Sequence, residues 1–135
     1  MPKFTIQRSE KVGNTRIRLF KLITNQVCPI DEFEKVIEYE GAFAHEIDKI
    51  YAILECVCNL TMLPKTMYRV LQLGDLPFQV YEAKSSSLRF YLIKLEKTGK
   101  VIMMGGRKST QNADLKQITR LAKEIYSHGI PETKI

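Results

Sequence analysis

Residues 68 to 104 decide the fold of this chain and read YRVLQLGDLPFQVYEAKSSSLRFYLIKLEKTGKVIMM. Short runs of apolar or alternating residues lie within this stretch, and turn-forming Gly, Ser, Thr and Asp residues separate them. The runs cover residues 68–73, 78–84, 88–95 and 101–104. Because links as short as these favour antiparallel neighbours, the sequence predicts a small antiparallel β-sheet.

Helices are predicted on both sides of these strands in the sequence. Asp31 followed by Glu34 is typical of a helix start, and Gly41 breaks the pattern. An apolar stripe at helical spacing follows, formed by Phe43, Ile47, Ile50, Leu54 and Val57. This region is therefore two helices, or one helix bent at Gly41. A final helix is predicted over residues 112–126, with the stripe Leu115, Ile118, Ala122 and Ile125.

The N-terminal residues predict a β-hairpin. Residues 4–6 and 16–20 alternate between polar and apolar side chains, and Gly13-Asn14 between them is a turn signal. The order of elements is then hairpin, two helices, antiparallel strands and a C-terminal helix. This order predicts a single α+β domain over residues 1–135, with the helices packed on one face of the sheet.

The charged residues are distributed unevenly along the chain, which carries a net charge of +6. Residues 31–55 hold eight acidic and two basic side chains, whereas residues 84–123 hold ten basic and two acidic ones. Such an asymmetry predicts one end of the molecule suited to polyanions. The alternative is an ordinary solvated surface.

Several classes of protein are disfavoured. The cysteines, Cys28, Cys56 and Cys58, are odd in number and poorly spaced with His45 and His128 for zinc, so neither disulfides nor a metal site is expected. No phosphate-binding loop is complete, and no cofactor is expected. No run is long and apolar enough for a membrane span, and the N-terminus has no apolar signal segment, so we expect a cytoplasmic protein.

The chemistry that remains must depend on Arg, Lys, Tyr and Glu. A cationic site with few acidic residues suits a phosphodiester substrate without a metal. RNA carries its own nucleophile, the 2′-hydroxyl, so the protein need only position it, remove its proton and stabilise charge. The sequence therefore indicates a nucleic-acid ligand and permits cleavage of RNA.

Three segments, VYEAK at 80–84, LRFY at 88–91 and GRKSTQ at 106–111, resemble the core of the RelE/HigB toxins of type II toxin-antitoxin systems. The resemblance covers residues 68–126, and residues 1–14 are an extension to it. It implies a small sheet with helices, and a ribosome-dependent endonuclease that cuts messenger RNA by metal-independent 2′-hydroxyl attack. It also implies a cognate antitoxin, a small DNA-binding protein encoded nearby. The chain departs from the family pattern because no C-terminal catalytic Tyr or His can be placed and no Pro follows Thr110-Gln111.

The resemblance gives the candidate catalytic residues their roles. Arg89 would hold the scissile phosphate, and Arg107 with Lys108 would stabilise charge on the phosphorane. Lys84 and Lys108 are the candidate general bases, since arginine stays protonated, and Glu82 is a rival base. The alternatives are a basic turn at 107–108 and an Arg89 that only pairs with Glu82.

The remaining predicted RNA contacts are Tyr91, Lys94 and Lys116. The ring of Tyr91 could stack on an unpaired base, or it could be a half-buried strand residue. A different function also fits the same surface, namely a non-catalytic RNA- or DNA-binding module or a protein-interaction module.

Overall fold

The computed structural model describes residues 3–95 and 99–129. Residues 96–98 and 130–135 lie outside the described residues. They include part of the predicted turn at 98–100, and also Glu96 and Lys97, two of the charged residues counted between residues 84 and 123. The strands are β1 (Phe4–Arg8), β2 (Leu19–Thr24), β3 (Tyr68–Leu71), β4 (Val80–Lys84), β5 (Leu88–Leu95) and β6 (Gly99–Arg107). The helices are α1 (Pro29–Glu40), α2 (Ala44–Cys58) and α3 (Gln111–His128), and one 3-10 turn (Lys108–Thr110) precedes α3.

The strands form one mostly antiparallel sheet in the order β1-β2-β6-β5-β4-β3. The meander of β3 to β6 is antiparallel throughout, as the sequence predicts, whereas β2 pairs with β6 in parallel. The chain between β2 and β6 crosses over through α1, α2 and the meander, which gives a parallel pair the long connection it needs. The α+β class with three helices is thus confirmed.

The predicted N-terminal hairpin is present but its turn is wider than expected. β1 and β2 pair from Phe4 with Thr24 to Arg8 with Phe20. Residues 9–18 form a loop in place of a tight turn at Gly13-Asn14, and Val12 and Ile17 of this loop pack against the core. β2 begins at Leu19, so residues 16–18 of the predicted strand belong to this loop.

The boundaries of α1 have local causes. Pro29 occupies the first turn, where its missing N–H removes a donor that has no partner within the helix. The helix ends where Gly41 adopts a φ of 83° and donates its N–H to the carbonyl of Ile37. The break predicted at Gly41 is therefore confirmed, and α1 and α2 are two helices.

The helices lie on both faces of the sheet, so the prediction that they share one face is wrong. Phe90 and Leu92 of β5 belong to the cluster that includes α1 and α2, whereas Tyr91 and Ile93 belong to the cluster that includes α3. The physical reason is that the apolar stripe of α3 covers the face of β5 that carries Arg89 and Tyr91. None of the three described helices combines the length and apolarity needed to span a bilayer.

Two adjacent glycines in β6 allow the helices to approach from both sides. A Cβ on Gly105 would overlap the ring of Phe33 from α1, and a Cβ on Gly106 would overlap the carboxylate of Asp114 from α3. Neither backbone needs a left-handed conformation, so space and not φ requires glycine at these two positions. The Gly105-Gly106 pair therefore sets how closely α1 and α3 pack on the sheet.

We expect Gly105→Ala to lower the free energy of unfolding by about 1–3 kcal/mol, because the added methyl group would displace Phe33 from a packed interface. Urea denaturation checks this. Gly13→Ala is the control, since its nearest contact to an added Cβ is 3.9 Å away, and the change should be within about 0.5 kcal/mol. Equal effects of the two substitutions would contradict the packing argument.

Candidate nucleic-acid interface

The sheet brings three of the predicted site residues to the same end of the molecule. Lys84 is paired with Arg89, and Arg89 is paired with Gly106. Arg107 is paired with Leu88, one position further along. Neighbouring Cα atoms in such pairs are about 5 Å apart. The backbones of Lys84, Arg89 and Arg107 therefore lie side by side, and Lys108 follows directly in the 3-10 turn.

A buried carboxylate lies beneath this row. The side chain of Glu82 is fully buried, and its Oε1 accepts a hydrogen bond of 3.1 Å from Nε of Arg69. Its Oε2 accepts one of 2.6 Å from Nε2 of Gln111, the first residue of α3. Nε of Arg89 lies 4.0 Å from the same oxygen. Glu82 thus links β3, β4, β5 and α3 through three polar partners.

Arg89 is an internal ion-pair partner of Glu82 in this conformation. Arg89 is 6% exposed, and its Nη1 donates hydrogen bonds to the carbonyls of Ser85 at 2.7 Å and Leu88 at 2.9 Å. These bonds hold the turn between β4 and β5. The pairing of Arg89 with Glu82, which the sequence left as the alternative to a phosphate contact, is present, but Arg89 is buried and not the exposed strand residue that this alternative assumed.

Arg107 is paired at the surface. Its Nη2 lies 2.7 Å from both carboxylate oxygens of Glu40, the last residue of α1, and both side chains are partly exposed. Exposed pairs of this kind contribute at most about 1 kcal/mol. A phosphate group could therefore replace the Glu40 carboxylate at little cost.

Lys84 and Lys108 are the accessible cations at this end of the sheet. Lys84 is partly exposed and lines a cavity of about 390 Å³ with His45 and Lys49 of α2. Lys108 is exposed, and its backbone N–H donates to the carbonyl of Ser87 at 2.8 Å. The two lysines lie on either side of the turn formed by residues 85–87.

That turn is held by a carboxylate that the sequence did not single out. Glu46 of α2 is buried, and its Oε1 accepts hydrogen bonds from Oγ of Ser85 at 2.5 Å and from the N–H of Ser87 at 2.8 Å. Burial opposes ionisation of Glu46, but these hydrogen bonds outweigh it and lower the pKa of this carboxyl below its usual value. The acidic pattern of residues 31–55 gave no signal that one member faces the sheet.

Two of the other predicted RNA contacts are exposed and one is buried. Tyr91 is fully buried under α3, and burial raises the pKa of its phenol, with Glu82 and Asp114 adding to the effect. Its ring is not available for base stacking in this conformation. Lys116 is exposed on α3. Lys94 is exposed but lies five residues along β5 from Arg89, about 16 Å away at the usual strand rise.

Potential metal ligands are not grouped in the described part of the chain. Across residues 3–95 and 99–129, no three His, Cys, Asp or Glu side chains come together as metal ligands would. Cys28, Cys56 and Cys58 are free thiols, of which Cys58 is buried.

Comparison of the chain with protein-family models, with curated proteins and with solved structures finds no match.

We expect Glu82→Gln to lower the free energy of unfolding by about 3 kcal/mol, because it leaves the buried Arg89 without its charge partner. Glu40→Gln is the matched control, since it removes the exposed partner of Arg107 and should cost less than about 1 kcal/mol. Chemical denaturation of both variants checks this. Similar losses in the two variants would show that Glu82 is not the structural carboxylate described above.

We expect Glu46 to contribute to the pH dependence of stability. Because its folded-state pKa is lowered, its contribution is fully present above its unfolded pKa of about 4.3 and is lost as the pH falls through the folded-state value. Glu46→Gln should therefore lower stability at pH 7 by about 1–2 kcal/mol. It should also lose less stability than the wild type between pH 5 and pH 3. Urea titrations at a series of pH values check both; parallel curves would contradict the assignment.

Proposed function

We propose that this chain is a RelE/HigB-type toxin, a ribosome-dependent endonuclease that cuts messenger RNA in the cytoplasm. The observation that supports this best is that the backbones of Lys84, Arg89 and Arg107 lie at one end of three neighbouring strands, with Lys108 following. Within this row, Arg107 points to the α1 face and Arg89 to the α3 face. The order of the helices, the meander and the final helix is compatible with the architecture that the resemblance implies. The proposal rests on this arrangement and on the three segments that carry the resemblance.

The accessible cations would carry the chemistry in this proposal. Lys84 or Lys108 accepts the proton of the 2′-hydroxyl, whose oxygen then attacks the adjacent phosphorus. The bond from phosphorus to the 5′-oxygen breaks, that oxygen takes up a proton from the other lysine, and a 2′,3′-cyclic phosphate remains. Arg107 exchanges its Glu40 partner for the phosphate and stabilises charge on the phosphorane.

Glu82 and Arg89 take a different part in this proposal from the one that the sequence gives them. Both are buried, so we assign them as positioning residues that act through the turn between β4 and β5. Arg89 holds the carbonyls of Ser85 and Leu88, and this turn lies between Lys84 and Lys108. The geometry therefore favours a lysine over Glu82 as the general base.

Partners follow from the same proposal. The ribosome would present the messenger RNA, and a cognate antitoxin, encoded as a small DNA-binding protein, would hold the chain inactive. An acidic segment of the antitoxin would compete with RNA for Lys84, Arg107 and Lys108, because carboxylates and phosphates bind the same donors.

A second candidate function is a non-catalytic RNA-binding module on the same surface. The burial of Arg89 and Glu82 in a mutual ion pair favours it, because two of the predicted catalytic groups are turned toward the protein interior. Binding would then depend steeply on salt, with a slope of about −0.7 for each phosphate contacted on a single strand. Protein-bound RNA without new ends would identify this function.

We expect expression of the chain without an antitoxin to arrest growth and to create new 5′ ends in messenger RNA. Replacing both Lys84 and Lys108 by Gln should lower cleavage by at least about 10²-fold, since each stabilises charge or moves a proton. The double variant Arg120→Gln with Lys123→Gln is the control, because it removes the same charge from exposed positions on α3. Mapping of 5′ ends after brief expression measures both. Unchanged cleavage in the Lys84/Lys108 variant would overturn the assignment of the site, and no new ends with the wild type would overturn cleavage itself.

A further inference from the structure

A second group of cations lies at the opposite end of β6 from Arg107. Arg16, Arg18, Lys94 and Lys100 line a cavity of about 470 Å³, together with Ile17, Leu95 and Gly99. Among the described residues, no Asp or Glu lines this cavity. Eight residue steps along β6 separate Gly99 from Arg107, which at the usual strand rise is about 26 Å. The two groups of cations are therefore separate surfaces.

The backbone beneath this cavity is fixed. The N–H of Lys100 donates to the carbonyl of Arg18 at 3.0 Å. The N–H of Ile17 donates at 2.8 Å to the carbonyl of Cys58, the last residue of α2. Gly99 has a φ of 145°, and a Cβ at this position would overlap the carbonyl of Arg18. The loop before β2 is thus joined closely to the start of β6, and this contact brings the two arginines beside the two lysines.

Among the described residues, no acidic partner lies beside the cations of this cavity, in contrast to Arg89 and Arg107 at the other end of β6. Within residues 3–95 and 99–129, Arg69 and Arg89 pair with Glu82, and Arg107 pairs with Glu40, but no carboxylate lies within 4.0 Å of the cationic groups of Arg16, Arg18, Lys94 or Lys100. The positive charge of this cavity is therefore not compensated by the described part of the chain.

Lys100 is the most buried of the four. It is 8% exposed, and its Nζ donates to Oη of Tyr68 at 2.8 Å. The same Nζ lies 4.0 Å from the ring centroid of Tyr81 and 4.8 Å from that of Tyr68, and the two rings are stacked. These contacts stabilise the ammonium only partly, since burial still lowers the pKa of Lys100. An anion bound nearby would offset that burial.

We propose that this cavity is a second anion-binding site that takes a phosphate group. Two arginine forks match the oxygen pairs of a phosphate, and the exposed Lys94 adds a point charge beside them. The phosphate could belong to the backbone of a bound RNA or to a free phosphorylated small molecule. The inference does not depend on cleavage at the other end of β6, because no residue is shared between the two sites.

The first measurement uses the purified full chain and inorganic phosphate. In a titration followed by backbone amide NMR, we expect saturable shifts at residues 16–18 and at Gly99 and Lys100. The double variant Arg16→Gln with Arg18→Gln should weaken phosphate binding at least 10-fold relative to the wild type, about the change expected for 1.4 kcal/mol. Both arginines are exposed, so the variant should keep the wild-type spectrum elsewhere. The variant Lys94→Gln removes the cation that β5 contributes to the cavity, and Lys94 is also exposed.

The second measurement distinguishes the two sources of phosphate. Binding of a short single-stranded RNA is measured over a range of salt concentrations for the wild type, the Arg16/Arg18 variant and the control variant Arg120→Gln with Lys123→Gln. A slope reduced by about 0.7 for each lost contact in the first variant only identifies the RNA backbone as the ligand. Phosphate shifts with an unchanged RNA slope identify a free phosphorylated molecule. Absence of saturable shifts at the cavity, together with equal RNA slopes in both variants, would overturn the proposal.

Discussion

The carboxylate of Glu82 lies within the sheet, where removing a charge from water costs several kcal/mol unless charged and polar partners replace the lost hydration. Arg69 from β3, Arg89 from β5 and Gln111 from α3 are those partners. Because each comes from a different element, the position of Glu82 constrains the edge strand, the centre of the sheet and the start of the final helix together. Glu82 and Arg89, two of the candidate site residues, are thus also residues that stabilise this end of the fold.

Because some candidate site residues also stabilise the fold, the candidate site consists of a buried group and an accessible group of side chains. Side chains that point between the sheet and α3 are compensated internally, and Glu82 and Arg89 belong to this group. Side chains at the ends of the strands remain accessible, and Lys84 and Lys108 belong to that group. The turn between them is fixed from below by Arg89 and from the side by Glu46. The buried side chains of Arg89 and Glu46 therefore position the turn between the accessible Lys84 and Lys108. A site is preorganised when buried residues hold its accessible residues in this way.

The long strand β6 connects the two basic ends of the molecule. At its C-terminal end, Gly105 and Gly106 admit α1 and α3 to the two faces, and Glu40 of α1 reaches Arg107. At its N-terminal end, Gly99 admits the loop before β2, which brings Arg16 and Arg18 to the cavity there. Among residues 3–95 and 99–129, two arginines near one end of β6 are paired with carboxylates, whereas the cations at the other end have no carboxylate partner. Among the described residues, Gly105 admits α1, whose Glu40 pairs with Arg107. Gly99 instead admits the loop that carries Arg18.

The amino-acid sequence by itself determined the class of fold, the strands of the meander, the three helices and the break at Gly41, because periodicity and turn chemistry are local properties. It singled out Lys84, Arg89 and Arg107 by type, but only the strand register of the structure showed that their backbones lie at one end of neighbouring strands. It could not determine which face of β5 is covered, because Arg89 and Tyr91 have the alternation of an exposed face until α3 packs over them. Nor could it show that Glu46 faces the sheet, or that Arg16 and Arg18 meet Lys94 and Lys100, because residues far apart in sequence become neighbours only through the tertiary packing of the loop, α2 and β6.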